Sequence, residues 1–86
     1  MPERRAVLAI AEGLHARPAA LFVNLAAQQP VAVTIRKADG DPVPASSILS
    51  VMGLGAGPGD EVFLASDDAA AQPSLDALAQ YLESAG

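Results

Sequence analysis

The sequence predicts an α+β fold, a two-layer sandwich in which helices cover one face of a four-stranded sheet. Strand-like and helix-like segments follow one another in the order β-α-β-β-α-β-α. The chain has 86 residues, enough for one modest hydrophobic core and too few for two. No linker, repeat or low-complexity tract divides it, so we expect residues 1–86 to form one domain.

A glycine turn separates the first predicted strand from the first predicted helix. Residues 5–11 (RAVLAIA) are apolar and run into Glu12 and Gly13, which predicts a strand that ends in a turn. Beyond this turn, apolar residues recur with the period of a helix. Because proline is well tolerated in the first helical turn, we expect a helix over residues 16–28. Its apolar face would contain Pro18, Leu21, Phe22 and Leu25.

The middle of the chain predicts a hairpin and a short helix. Residues 31–36 (VAVTIR) alternate with period two and are rich in β-branched side chains, which is typical of a half-buried strand. After a turn at residues 39–40 (DG), residues 42–45 can return only as a short, proline-interrupted strand at a sheet edge. One of the serines at residues 46–47 can then cap a helix that ends at a glycine of residues 53–55.

A glycine-rich loop, a strand and a final helix complete the chain. The loop of residues 53–59 (GLGAGPG) follows a helix and opens a strand, which is the reverse of a dinucleotide-binding loop and favours a helix C-cap with turns. Residues 61–65 (EVFLA) predict that strand. An amphipathic helix then begins within residues 68–73 and runs to about Ser84. Its apolar face would contain Leu75, Leu78, Ala79 and Leu82.

Composition excludes several classes of site and partner. With no cysteine and one histidine, the chain has no disulfide framework, no Cys-based zinc site and no multi-histidine metal site, and we expect no cofactor. The net charge is −5 and the five basic residues are dispersed, which disfavours nucleic-acid binding because such binding needs a basic surface. No apolar run of about 18 residues exists, so we expect a cytoplasmic protein.

His15 is the candidate reactive residue, within residues 13–20 (GLHARPAA). It lies at a predicted helix start, where unpartnered N–H groups and the positive end of the helix dipole favour an anion. Arg17 adds a permanently charged fork of donors suited to phosphoryl oxygens. The neutral imidazole, the main form of an unperturbed histidine near pH 7, is the nucleophile that phosphoryl acceptance requires. On this spacing alone, a helix-capping or surface histidine without a role stays open.

Two segments of the chain resemble one family. Residues 13–20 look like the active-site segment of the histidine-containing phosphocarrier (HPr) family of the bacterial phosphoenolpyruvate-dependent sugar phosphotransferase system. Residues 47–55 (SILSVMGLG) are similar to its regulatory-serine helix, at the family's spacing apart from about one extra residue in the loop of residues 39–45. The resemblance implies an antiparallel sheet with three helices on one face. It also implies a phosphoprotein of sugar transport that is a covalent intermediate in its partners' reactions and not itself an enzyme.

The resemblance also implies individual roles. The phosphorylated histidine falls on His15, with Nδ1 as the attacking atom, and the phosphate-binding arginine falls on Arg17. The backbone amides of Ala16 and Arg17 would meet the phosphoryl oxygens. The regulatory serine, which a dedicated kinase phosphorylates in some bacteria, falls on Ser47 rather than Ser46. Because serine is a favoured helix N-cap in any case, a purely structural role for Ser47 stays open.

The partners implied by the resemblance are enzyme I and enzyme II A components. A serine kinase or phosphatase and transcriptional regulators are further candidates. The resemblance also implies that the chain is a monomer. The docking face would comprise Ala16, Arg17, Ala20, Leu21, Asn24, Ala27, Ile48, Leu49 and Met52. Its three large apolar side chains on the second helix, Ile48, Leu49 and Met52, have more apolar surface than so short a helix can bury, and exposed apolar surface usually marks a contact. Two of them could nevertheless belong to the core. A regulatory docking module switched by Ser47 is the alternative function.

The chain departs from the family pattern in charge. Asn24 and Ala27 stand where many members carry lysines on the first helix. Glu12 adds a negative charge where a neutral or small polar residue is common. Rim charges govern partner choice and association rate more than chemistry, so we expect these differences to affect partner selection.

Overall fold

A computed structural model describes residues 2–84, so the predicted domain of residues 1–86 includes three positions outside the described part. Within residues 2–84, four strands form one antiparallel sheet in the order β1-β4-β2-β3, accompanied by three helices. This arrangement confirms the predicted fold class. The elements are β1 (Glu3–Val7), α1 (Ala16–Ala27), β2 (Thr34–Lys37), β3 (Val43–Pro44), α2 (Ile48–Gly53), β4 (Glu61–Ala65) and α3 (Gln72–Glu83).

The helices cover one face of the sheet, and alternation along the strands explains why. Successive side chains of a strand point to opposite faces, and the helix-facing positions here are buried and apolar. The core is almost wholly aliphatic, with Phe22 as its only fully buried ring among the described residues. The apolar face predicted for α3 is confirmed, because all four of its residues are completely buried: Leu75, Leu78, Ala79 and Leu82.

The other face of the sheet is charged. The guanidinium carbon of Arg36 lies 4.5 Å from the ring centroid of Phe63. One guanidinium nitrogen of Arg36 lies 3.7 Å from a carboxylate oxygen of Glu3. Arg5 is ion-paired with Glu61 across the β1–β4 ladder. These contacts satisfy the basic side chains on the open face without burying them.

The first strand has different limits from those predicted. Residues 5–11 were expected to be extended, but β1 covers Glu3–Val7. The strand ends at Val7 because Val7 pairs with Glu61, the first residue of β4. Beyond it Leu8 stays buried, and its N–H donates to the carbonyl of Asp60 at 2.9 Å in the turn before β4.

The second strand is also shifted. Residues 31–36 were expected, but β2 covers Thr34–Lys37. Thr34 already pairs with Ala65, the last residue of β4, and with Pro44 of β3, so residues 31–33 have no strand opposite them. The edge position predicted for the proline-interrupted strand is confirmed, because β3 lies at one edge of the sheet.

The first helix matches its predicted span but buries a different face. Leu21 was assigned to the apolar face, yet it is 47% exposed. The buried positions are Pro18, Ala19, Phe22 and Ala26. The inward face is therefore centred on Phe22, and the preceding residue lies about 100° around the helix from it.

The second helix begins and ends where the sequence indicated. Ser47 is its N-cap, with the hydroxyl oxygen accepting the Ser50 N–H at 3.4 Å, so Ser47 and not Ser46 has the capping role. The helix ends at Gly53, and the glycine-rich loop then runs into β4. Val51 is the one residue of α2 that is buried.

Candidate functional site

His15 stands immediately before α1, as its N-cap residue. Its backbone is extended, with φ −128° and ψ 159°, and its side chain makes no capping hydrogen bond. The residue is exposed, and its imidazole has no hydrogen-bond or ion-pair partner within residues 2–84. His15 is thus the N-cap residue by position, but its side chain does not cap α1, and neither ring nitrogen has a partner within residues 2–84.

Ala16 adopts a left-handed backbone conformation, with φ +49°, and is the only non-glycine residue of the described chain with a positive φ. For an alanine this conformation costs about 1–2 kcal/mol. It bends the chain between the extended His15 and the rest of α1. Strained backbone of this kind is concentrated at functional sites, and here it adjoins the candidate nucleophile. This conformation could not be predicted from the residue type, because alanine is the best helix former.

The first turn of α1 presents unpaired donors. In the described part of the chain, the N–H groups of Ala16 and Arg17 donate to no acceptor, and Pro18 has no N–H. The first helical bond runs from the Ala19 N–H to the His15 carbonyl, at 3.4 Å. No acidic residue lies in this turn to compete for the donors. The arrangement suits an anion beside His15.

Arg17 differs from every other basic side chain in the range 2–84. It is exposed and has no carboxylate partner there. The other four are used in ion pairs: Arg4 with Asp76 and Glu83, Arg5 with Glu61, Arg36 with Glu3, and Lys37 with Asp60. Its guanidinium is therefore available for a ligand two residues from His15.

The glycine-rich loop packs against the residues that precede His15. Gly13 has φ +72°, and a Cβ there would lie 2.8 Å from the Ala56 oxygen and 3.1 Å from the Gly57 Cα. The same Cβ would lie 3.3 Å from Cδ2 of His15. The Leu14 N–H donates to the Ala56 oxygen at 3.0 Å. The loop thus packs backbone to backbone against the residues that precede His15, a contact that sequence analysis missed.

Tyr81 connects α3 to the start of α1. Its hydroxyl donates to the Pro18 carbonyl at 3.1 Å, and its ring centroid lies 6.3 Å from that of Phe22. Burial raises the pKa of Tyr81, and the negative charge of Glu12 raises it further. The phenol therefore remains a hydrogen-bond donor throughout the neutral range.

The predicted docking residues all lie on the surface. Ala20, Leu21, Asn24 and Ala27 are exposed on α1, which contacts α2. On α2, the exposed fractions are 81% for Leu49, 40% for Met52 and 37% for Ile48. The possibility that two of these three belong to the core is therefore excluded. Together with Leu21 they are the exposed large apolar side chains of α1 and α2.

Comparison with known proteins decides the family. The family model described as "PTS HPr component phosphorylation site" matches residues 2–84. The chain belongs to the HPr family. The HPr phosphocarrier protein of Streptomyces coelicolor is 55% identical over 82 residues, which cover 95% of this chain and 88% of the relative. HPr membership confirms the phosphocarrier role in the phosphotransferase system.

Solved HPr-family structures share the fold. Phosphocarrier protein HPr from Bacillus anthracis str. Ames superposes with a TM-score of 0.87 at 37% identity, covering 94% of this chain and 95% of that one. Crh, a catabolite-repression protein of Bacillus subtilis, superposes with a TM-score of 0.75 at 36% identity, covering 100% of this chain and 98% of that one. That Crh structure is a dimer with a swapped domain. In this chain, none of the helices within residues 2–84 has the length and apolarity to cross a bilayer.

Proposed function

We propose that the chain, acting as one domain, carries a phosphoryl group on Nδ1 of His15. It would take this group from phospho-enzyme I and give it to enzyme II A components during sugar uptake. One observation carries the proposal: an exposed, unbonded imidazole adjoins two unpaired amides and the one basic side chain of residues 2–84 that lacks a carboxylate partner. Family membership supports the phosphoryl chemistry.

The transfer needs little from this chain beyond positioning and charge. The lone pair of His15 Nδ1 attacks phosphorus, the new P–N bond forms, and the bond between phosphorus and the donor atom breaks with its electron pair returning to the donor. Because the neutral imidazole attacks through a lone pair that is already free, no general base has to remove a proton from it first. The amides of Ala16 and Arg17 and the Arg17 guanidinium would donate to the phosphoryl oxygens, and such charge-assisted bonds are strong.

Labelling with phosphoenolpyruvate tests the proposal. Incubation with enzyme I, phosphoenolpyruvate and magnesium should give an acid-labile, base-stable phosphate on the chain. His15→Ala should abolish that phosphate, and the matched variant Ser47→Ala should keep it. A phosphate of this stability retained in His15→Ala would remove His15 from the mechanism.

We infer that both partners dock on the exposed face of α1 and α2. Arg17 is the only charged residue among those assigned to this face, so apolar contact dominates the association. The dissociation constant should therefore change less than about threefold between low and physiological salt, because few charges are there to be screened. A change of tenfold or more would show that charges outside this face govern docking.

The carrier is proposed to be a monomer, since β1 pairs with β4 of the same chain. Sedimentation equilibrium should give a single species with the mass of one chain. A stable dimer of exchanged β1 strands would contradict the monomer.

A regulatory role is the second candidate, and the position of Ser47 favours it. Ser47 caps α2 directly before the exposed Ile48 and Leu49. A phosphate there would place a dianion at the edge of the apolar face, where a kinase, phosphatase or regulator could respond to it. Ser47→Asp should alter partner binding, while the matched variant Ser46→Asp should not. Equal effects of the two variants would leave Ser47 with its capping role alone.

A further inference from the structure

One peptide unit of the glycine-rich loop connects a carboxylate to the His15 segment. The N–H of Gly57 donates to Oδ2 of Asp60 at 2.8 Å. The carbonyl of that same peptide unit belongs to Ala56 and accepts the Leu14 N–H at 3.0 Å. The unit is thus bonded at both ends, and Ala56 is completely buried.

The carboxylate of Asp60 is itself held from two sides. Lys37 Nζ, at the end of β2, lies 3.5 Å from Oδ2. The backbone of Asp60 donates to the Gly57 carbonyl at 3.0 Å and accepts the Leu8 N–H at 2.9 Å. The Gly57 N–H, and then the charge of Lys37, lower the pKa of Asp60, so the side chain is ionised at neutral pH.

We infer that Asp60 is a positioning residue for the His15 site, acting through the peptide unit that joins Ala56 to Gly57. An ionised acceptor on the N–H polarises this unit and strengthens the acceptor at its carbonyl end. The carboxylate also fixes the rotation of the peptide plane, which aims the Ala56 oxygen at Leu14. His15 follows Leu14 directly. The hydrogen bond from the Leu14 N–H to the Ala56 oxygen therefore fixes the backbone position at which the reactive segment starts. The inference rests on the proposed phosphoryl transfer only for its effect on rate.

Hydrogen exchange at the Leu14 amide tests the connection without any phosphate. Asp60→Ala removes the acceptor and should speed exchange at Leu14 by about tenfold or more, while Leu64 in the sheet keeps its protection. Asp60→Asn keeps an acceptor oxygen without the charge and should fall between Asp60→Ala and the wild type. Asp67→Ala removes an exposed carboxylate beyond the far end of β4 and should change nothing.

Transfer rates give the second readout. A 1 Å misplacement of a reacting group can lower the rate of a reaction about 100-fold. Asp60→Ala loosens the His15 segment without displacing it permanently, so the rate of phosphoryl transfer at saturating phospho-enzyme I should fall less, by about three- to tenfold. The KM for phospho-enzyme I should not change, because Asp60 lies outside the docking face. The rate in Asp60→Asn should again be intermediate.

Two results would overturn the inference. One is unchanged Leu14 exchange in Asp60→Ala; the other is equal loss of rate in Asp60→Asn, Asp60→Ala and Asp67→Ala. If Asp60→Ala does not fold, Asp60→Asn decides both readouts, with wild-type values counting against the inference. A wild-type chain that accepts no phosphate would refute the proposed function instead, and the Leu14 exchange would still decide the role of Asp60.

Discussion

Replacing Gly13 with alanine measures how closely the glycine-rich loop supports the reactive segment. The backbone at Gly13 has φ +72°, which costs an alanine about 1–2 kcal/mol. The added methyl group would lie 2.8 Å from the Ala56 oxygen and 3.1 Å from the Gly57 Cα. Both are backbone atoms that cannot rotate away, so crowding adds about 1–3 kcal/mol. We expect Gly13→Ala to lower the free energy of unfolding by about 2–5 kcal/mol.

Gly55→Ala is the matched control for this prediction. Gly55 has φ +65°, and nothing lies within 4 Å of a Cβ placed there. Gly55→Ala should therefore lower the free energy of unfolding by the backbone cost alone, about 1–2 kcal/mol. Urea unfolding followed by circular dichroism gives both values, and their difference isolates the contact with the loop. Equal losses in Gly13→Ala and Gly55→Ala would refute the close approach of loop and reactive segment.

Three further predictions concern single side chains. Leu49→Ala should change the free energy of unfolding by less than about 0.5 kcal/mol while weakening partner binding, because Leu49 is 81% exposed. The buried counterpart Leu75→Ala should cost about 2–5 kcal/mol in the same urea titration, and similar losses in both would contradict the outward position of Leu49. Arg17→Lys keeps the charge but loses the planar fork, so phosphoryl acceptance in rapid-quench experiments should slow by about tenfold, and an unchanged rate would show that charge alone suffices. Because folding raises the pKa of Tyr81, through burial and then Glu12, its contribution to stability is complete below its unfolded pKa of about 10 and is lost as the pH rises through the folded value. Tyr81→Phe should therefore show a shallower loss of stability above about pH 10, and parallel curves for variant and wild type would exclude this linkage.

The helices were predictable because the signals for them are local. The period of apolar residues placed α3 with its buried face, and a serine placed the start of α2. Strand limits were less predictable because they depend on the partner strand. β1 ends at Val7 because its partner strand β4 begins at Glu61. The sequence of residues 5–11 does not indicate where that partner strand begins.

The candidate site divides in the same way. His15 and Arg17 could be proposed from a glycine turn, a helix start and a permanent positive charge, all within a few residues. The left-handed Ala16 could not be proposed, because alanine in a helix start predicts ordinary helical backbone. The support of the segment by Asp60 depends on a contact between distant parts of the chain, which periodicity does not encode. Leu21 shows the remaining ambiguity, since a helical period fits two neighbouring faces and only packing selects one.

Our proposal places a phosphoryl group on Nδ1 of His15, where the first turn of α1 would donate hydrogen bonds to it. Phosphorus–proton correlation NMR of the chain phosphorylated by enzyme I and phosphoenolpyruvate tests it most directly. We expect phosphorus coupled to the His15 ring through Nδ1, together with downfield shifts of the Ala16 and Arg17 amide protons as they bond the phosphoryl oxygens. Phosphorus coupled to a serine, or to Nε2 of His15 with both amides unshifted, would contradict it.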